Sequence, residues 1–197
     1  AIPLLTVPVV IDQMESNGVP LVPTTVRVIA ELTGPLSAEL SRWVIVPLLL
    51  VFFAGELVWR ERDAGLGELV DAMPTSEWAP LLGKFLGLAL VLVVFQALLA
   101  GAGMLAQALM GYRDFEVGLY LKVMLGLQLT EYLLFALLAL VVHAVVGHKY
   151  VGHLVAIGAY VFVVLSSMFG IEHDLLVYGA SPGWSYTEMR GFGPSLG

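Results

Sequence analysis

From Phe85 to Met110 the chain runs for 26 residues without one charged side chain. An α-helix rises 1.5 Å per residue, so about twenty apolar residues cross the ~30 Å hydrocarbon core of a bilayer. Three more stretches have this character, at residues 43–59, 118–146 and 150–170, and the only charged residues in all four are Glu56, Lys122 and Glu131. The composition follows from this partition. Hydrophobic residues make up 59% of the 197 and charged residues 13%, against roughly 25% charged in soluble domains. The low average mixes nearly uncharged spans with connecting segments that carry an ordinary surface charge. The expected fold class is an all-α integral membrane protein with four transmembrane helices.

Several functions are excluded at once. A net charge of −7 with no basic tract argues against nucleic acid as a partner. With no cysteine there are no disulfides, thiolate metal sites or cysteine nucleophiles. No HExxH motif is present, and the only Gly-Lys pair, Gly83–Lys84, is followed by Phe85 and lacks the upstream glycine of a P-loop. The histidines stand at 143, 148, 153 and 173, and a spacing of five puts consecutive ones on different faces of a helix. His143 reads as a hydrogen-bonding partner for a neighbouring helix. His173 lies between Glu172 and Asp174, but three adjacent side chains rarely converge on one ion. No catalytic, cofactor-binding or metal-ligating residue is assigned, and the chain is not expected to be an enzyme.

The first span is bracketed by Trp43 and Trp59, with Arg42 and Arg60 just outside, a pattern of interfacial aromatic belts and snorkelling cations. Residues 1–42 and 171–197 read as extracytoplasmic segments, with a short strand or a helix around Thr25 to Leu32 in the first. The missing initiator Met and the ending at GFGPSLG lead us to expect an excerpt of a longer protein. Lys and Arg tie at four on each side of the membrane, but the loops at 60–84 and 147–149 are much the shorter, so their side is assigned to the cytoplasm. Within 60–84, Leu66, Leu69, Val70 and Met73 fall at i, i+3, i+4 and i+7, an apolar stripe on a short helix that Pro74 ends. Gly65 and Gly67 weaken that helix. Ser76 is placed to cap a further turn leading into the next span, with Pro80 in its first turn. Arg60, Glu61, Arg62 and Asp63 are either a solvated juxtamembrane turn or a grip for a soluble partner.

Polar residues inside the spans are few enough to name. Glu131 sits near the middle of the third span, where a carboxylate costs a few kcal/mol on insertion scales, so it must face protein or water. Gln128 lies one turn earlier, within about 60° on the same face, and Gln96 lies at similar depth in the second span. The three either line a polar pathway or a contact between halves of a larger assembly, or make interhelical hydrogen bonds with Glu131 protonated. Glu56, four residues before Arg60, reads as a local ion pair.

The run GELVWRERDAGLGELVDAMPTSEWAPLLGKFLGL resembles the first cytoplasmic loop of ABC-2 type ABC transporter permeases. QLTEYLLFALLALVVHAVVGHKYVGH and YGASPGWSYTEMRGFGP look like the membrane part of bacterial proteins in which such a permease is fused to an M1-family aminopeptidase. The resemblance implies an amphipathic coupling helix, with Arg60, Glu61, Arg62, Asp63, Leu66, Leu69, Val70 and Met73 contacting an ABC nucleotide-binding subunit. ATP would then be hydrolysed on that partner and no cofactor held here. It also implies a second permease half, as a homo- or heterodimer, in the bacterial inner membrane. Two alternatives stay open: a membrane anchor for a downstream M1 zinc aminopeptidase, and a proton-coupled transporter centred on Glu131.

Overall fold

The computed structural model describes residues 23–32, 45–66 and 78–165, and every regular element among them is helical. These are α1 (Thr25–Leu32), α2 (Ile45–Asp63), α3 (Trp78–Leu109), α4 (Val117–Val145) and α5 (Lys149–Val164). Two of them, α3 and α4, are long and apolar enough to cross a membrane. Neither is a buried core helix. On α3 alone Leu86, Leu90, Val94 and Leu98, each four residues from the next, are more than half exposed, an apolar row along one face of the helix.

The helix ends follow local chemistry. Helix α3 starts at Trp78, seven residues ahead of Phe85, and so absorbs the expected extra turn. Pro80 falls in its first turn, where the missing N–H has no partner to lose. Helix α2 runs past Trp59 to Asp63, making Arg60–Asp63 its last turn rather than the start of a loop. Both helices stop by the same device. Gly65 and Gly111 adopt positive φ, 72° and 83°, which glycine reaches without a Cβ clash. The amides of Gly65 and Leu66 donate to the carbonyls of Arg62 and Glu61, and those of Gly111 and Tyr112 to Ala108 and Gln107, the paired bonds of a Schellman cap. Gly65, expected to weaken an amphipathic helix, therefore terminates the helix before it. Leu69, Val70, Met73, Pro74 and Ser76 lie outside the described residues, as do Trp43, Gly67 and the Glu172–His173–Asp174 cluster.

Helix α4 is α-helical at both ends and π-helical from Leu121 to Gln128, where the Leu129 amide donates to the Met124 carbonyl five residues back. The Thr130 hydroxyl donates to the Gly126 carbonyl at 2.6 Å within this wider segment, the back-bonding by which Ser and Thr disturb helical ladders.

The chain divides into two bodies, and α3 and α4 contribute to both. The first holds α1 and residues 92–130. Thr25, Val28, Ile29 and Leu32 form a buried i, i+3, i+4, i+7 stripe on α1, which packs on Leu99, Ala102 and Ala106 of α3 and on Leu119, Tyr120, Val123 and Met124 of α4. Eight residues are too few to hold a helix in isolation, so this packing is what fixes α1. Gly103 permits the approach: a Cβ there would stand 2.6 Å from Leu32 Cδ1.

The second body holds α2, residues 78–91, residues 131–145 and α5. Val46, Leu50, Val51, Ala54 and Val58 form the buried face of α2, while Leu48, Phe52 and Phe53 are exposed. Helix α2 packs against α5, and Phe135 meets Tyr160 edge-on at 5.6 Å between ring centroids. Ala54, Ala136, Ala139 and Ala156 are all buried here, small residues of the kind that let membrane helices approach closely.

Candidate functional site

Among the described residues, the last two turns of α2 carry most of the charge in the second body, and ion pairs gather it. Glu61 accepts from Lys84, near the start of α3, at 2.7 Å. Lys149, the first residue of α5, reaches back to Glu56 at 2.8 Å and Asp63 at 2.9 Å. Glu56 and Asp63 lie seven residues apart, two turns on one face, so a single ammonium spans both. The two carboxylates, Glu56 first and then Asp63, hold that ammonium well above the ordinary lysine range. The end of α2 is thereby tied to the beginnings of two other helices.

Of the four charges from Arg60 to Asp63, two are therefore spent within the chain. Arg62 stacks over the Trp59 ring, 4.8 Å from its centroid, as the i, i+3 relation allows. Trp59, expected in an interfacial belt, is buried at 7% exposure. Arg60 and Leu66 are exposed. Glu56 does not form the expected local pair; its partner is Lys149, across the body.

Behind the ion pairs, His143 of α4 meets His153 of α5, ring centroids 4.6 Å apart and planes at 71°. Two glycines make the room. A Cβ on Gly55 would fall 2.6 Å from His153 Nε2, and one on Gly152 would fall 2.6 Å from His143 Nδ1.

The first body has a neutral polar site instead. Gln107 is fully buried; its amide donates to the Pro23 carbonyl at 2.9 Å and to Thr25 Oγ1 at 3.3 Å, and its carbonyl accepts from the Tyr120 hydroxyl at 2.8 Å. This network pins the start of α1 to α3 and α4. Gln96, eleven residues earlier on α3, is also fully buried, and neither end of its amide has a hydrogen-bond partner among the described residues. Gln128 is 3% exposed in the same body, whereas Glu131 is half-buried and belongs to the second.

Comparison with known families decides the assignment. The family model described as ABC-2 family transporter protein matches residues 28–170. The chain belongs to that family. An ABC-2 family protein is the membrane permease component of an ABC transporter, a transport part whose ATPase partner is an ABC nucleotide-binding subunit. The exposed apolar length of α3 and α4 agrees with membrane embedding. No curated protein and no solved structure matches this ABC-2 chain.

Two features escaped the sequence reading, and each left a signal. His143 and His153 were compared as residues of one helix, yet they stand five residues either side of His148 in a tight hairpin, a symmetry that places them opposite each other. Gln107 lies three turns from Gln96 on one face of α3, so the pair marks a polar line in an otherwise apolar span.

Proposed function

We propose that this ABC-2 chain spans the membrane four times and couples a separate nucleotide-binding subunit to substrate movement through the charged end of α2. The ion-pair cluster carries the reading. Glu61–Lys84 and Lys149 with Glu56 and Asp63 connect that end to the starts of α3 and α5, so a displacement there moves three helices rather than one loop. Arg60 and Leu66 remain exposed beside the cluster for a docked subunit, and the stripe continues in sequence through Leu69, Val70 and Met73. The density of Lys and Arg in the shorter loops supports a cytoplasmic position for this side, and the reading puts the protein in a bacterial inner membrane. A second permease half completes the transporter, and Gln96, Gln128 and Glu131 supply polar groups for the pathway or for the contact between halves. The unspent amide of Gln96 supports that role.

The test is to replace Lys84 and Lys149 together by Met in the full transporter, reconstituted with its nucleotide-binding subunit. The subunit is expected to stay bound and to hydrolyse ATP, while transport per ATP falls several-fold. Unchanged transport would show that the ion pairs take no part in coupling.

A further inference from the structure

The buried face of α4 changes its spacing at one place. Leu119 and Val123 are buried four residues apart, and so are Gln128, Tyr132, Ala136 and Leu140, but the step from Val123 to Gln128 is five. The neighbouring row repeats it, with Tyr120 and Met124 four apart and Met124 and Leu129 five apart. The five-residue steps fall on the π-helical segment Leu121–Gln128, where the Leu129 amide donates to the Met124 carbonyl. In an α-helix, residues five apart point about 140° away from each other. The π winding is therefore what sets Gln128 and Leu129 on the face of Val123 and Met124.

The residues of the segment suit a second winding as well. In α-helical form Val123 would be followed on its face by Leu127, and Met124 by Gln128, each four residues on. Leu127, 37% exposed, is apolar, so turning it inward buries no polar group. A Cβ at Gly126 would meet open space, so no close packing calls for glycine there, and what it brings is a backbone of low preference for the α-helix. Passing from bonds five apart to bonds four apart leaves one carbonyl without an amide. The Thr130 hydroxyl donates to the Gly126 carbonyl at 2.6 Å, where the ladder changes. Thr130 thus offsets the cost of the π form, since an unmet carbonyl in an apolar span is expensive, while Leu127 offsets the cost of leaving it.

We propose that Leu121–Gln128 is a one-residue register switch in α4. Its π form presents Gln128 and Leu129 to the buried face, and its α form presents Leu127 and Gln128 instead and turns Leu129 away. The change moves a polar amide by one row on that face without unfolding the helix. π-helical turns inside α-helices are frequent at functional sites. That the switch operates during transport rests on the permease reading above; that it exists rests on the spacing, the Thr130 bond and Leu127.

The experiment uses the full-length protein in lipid nanodiscs. Deletion of Leu125 removes the extra residue, so that Val123 and Gln128, and Met124 and Leu129, come to stand four apart in a uniform α-helix with the buried face kept and the switch gone. This variant is expected to melt no lower than wild type and, with the nucleotide-binding subunit, to hydrolyse ATP while transport per ATP falls several-fold. Deletion of Leu137, in the α-helical part, turns every later residue off its face and is expected to unfold the protein. A spin label at Leu127→Cys reports the register through its accessibility to oxygen dissolved in the bilayer. That accessibility is expected to fall several-fold when ATP binds the wild-type transporter and to stay constant in the Leu125 deletion. Thr130→Val, measured without subunit or nucleotide, is expected to lower it too, which judges the switch apart from the permease reading. A Leu125 deletion that transports normally, or that unfolds as the Leu137 deletion does, overturns the proposal. So does a label that neither ATP nor Thr130→Val alters. A label that responds to Thr130→Val and not to ATP upholds the switch and overturns its place in the transport cycle.

Discussion

The two bodies solve the problem of polar groups in an apolar chain in opposite ways. In the first, one uncharged side chain, Gln107, satisfies a carbonyl and two hydroxyls at full burial. In the second, three ion pairs stay at the partly exposed end of α2, where water lowers the cost of charge and also the gain from pairing. A neutral network holds a structure in place, because each member loses its partner deep inside the protein. An exposed ion cluster adds little stability.

The variants that test this contrast separate by size. Gln107→Ala strands the Tyr120 hydroxyl and the Pro23 carbonyl, and is expected to cost on the order of 2–3 kcal/mol. Denaturation in detergent would measure the loss, and proteolysis near Thr25 would report release of α1. Gly55→Ala drives a methyl group into the His153 ring and is expected to cost about 1–3 kcal/mol, read in the same way. Tyr120→Phe removes one donor from the network for about 1 kcal/mol. Lys149→Met is the smallest in stability, because water weakens its exposed pairs. The paired lysine titrates well above the ordinary range, so its contribution is complete at neutral pH and is lost only in strong alkali. Melting temperatures of wild type and Lys149→Met should therefore differ by a constant amount from pH 7 to 9. If Lys149→Met proves costlier than Gln107→Ala, the contrast is reversed.

Much of this was legible in the chain. The uncharged run after Lys84 announced α3, and the match over residues 28–170 agrees with the family that the RERD loop resembled. Helix α1 occupies the segment read as strand or helix, its stripe set by Val28, Ile29 and Leu32. What the sequence could not show was which charges find each other. Glu56 pairs with Lys149, 93 positions away, and no local spacing encodes such a partner. Position alone also failed for Trp59: it suggested a lipid-facing belt, but Arg62 one turn on covers the ring. For Gln96, Gln128 and Glu131 the sequence identified costly residues, and burial agrees for the two glutamines, but their role depends on a second half. Transport by Glu131→Leu settles that role: full activity would remove Glu131 from the pathway.

The most direct measurement uses the absence of cysteine in this segment. Leu66→Cys at the end of α2 and Arg113→Cys in the link between α3 and α4 give two single reporters in the assembled transporter. A short cross-linker should join position 66, and not position 113, to the nucleotide-binding subunit, with more product when ATP is bound. Cross-linking from position 113 alone would contradict the assignment of the α2 end as the coupling site.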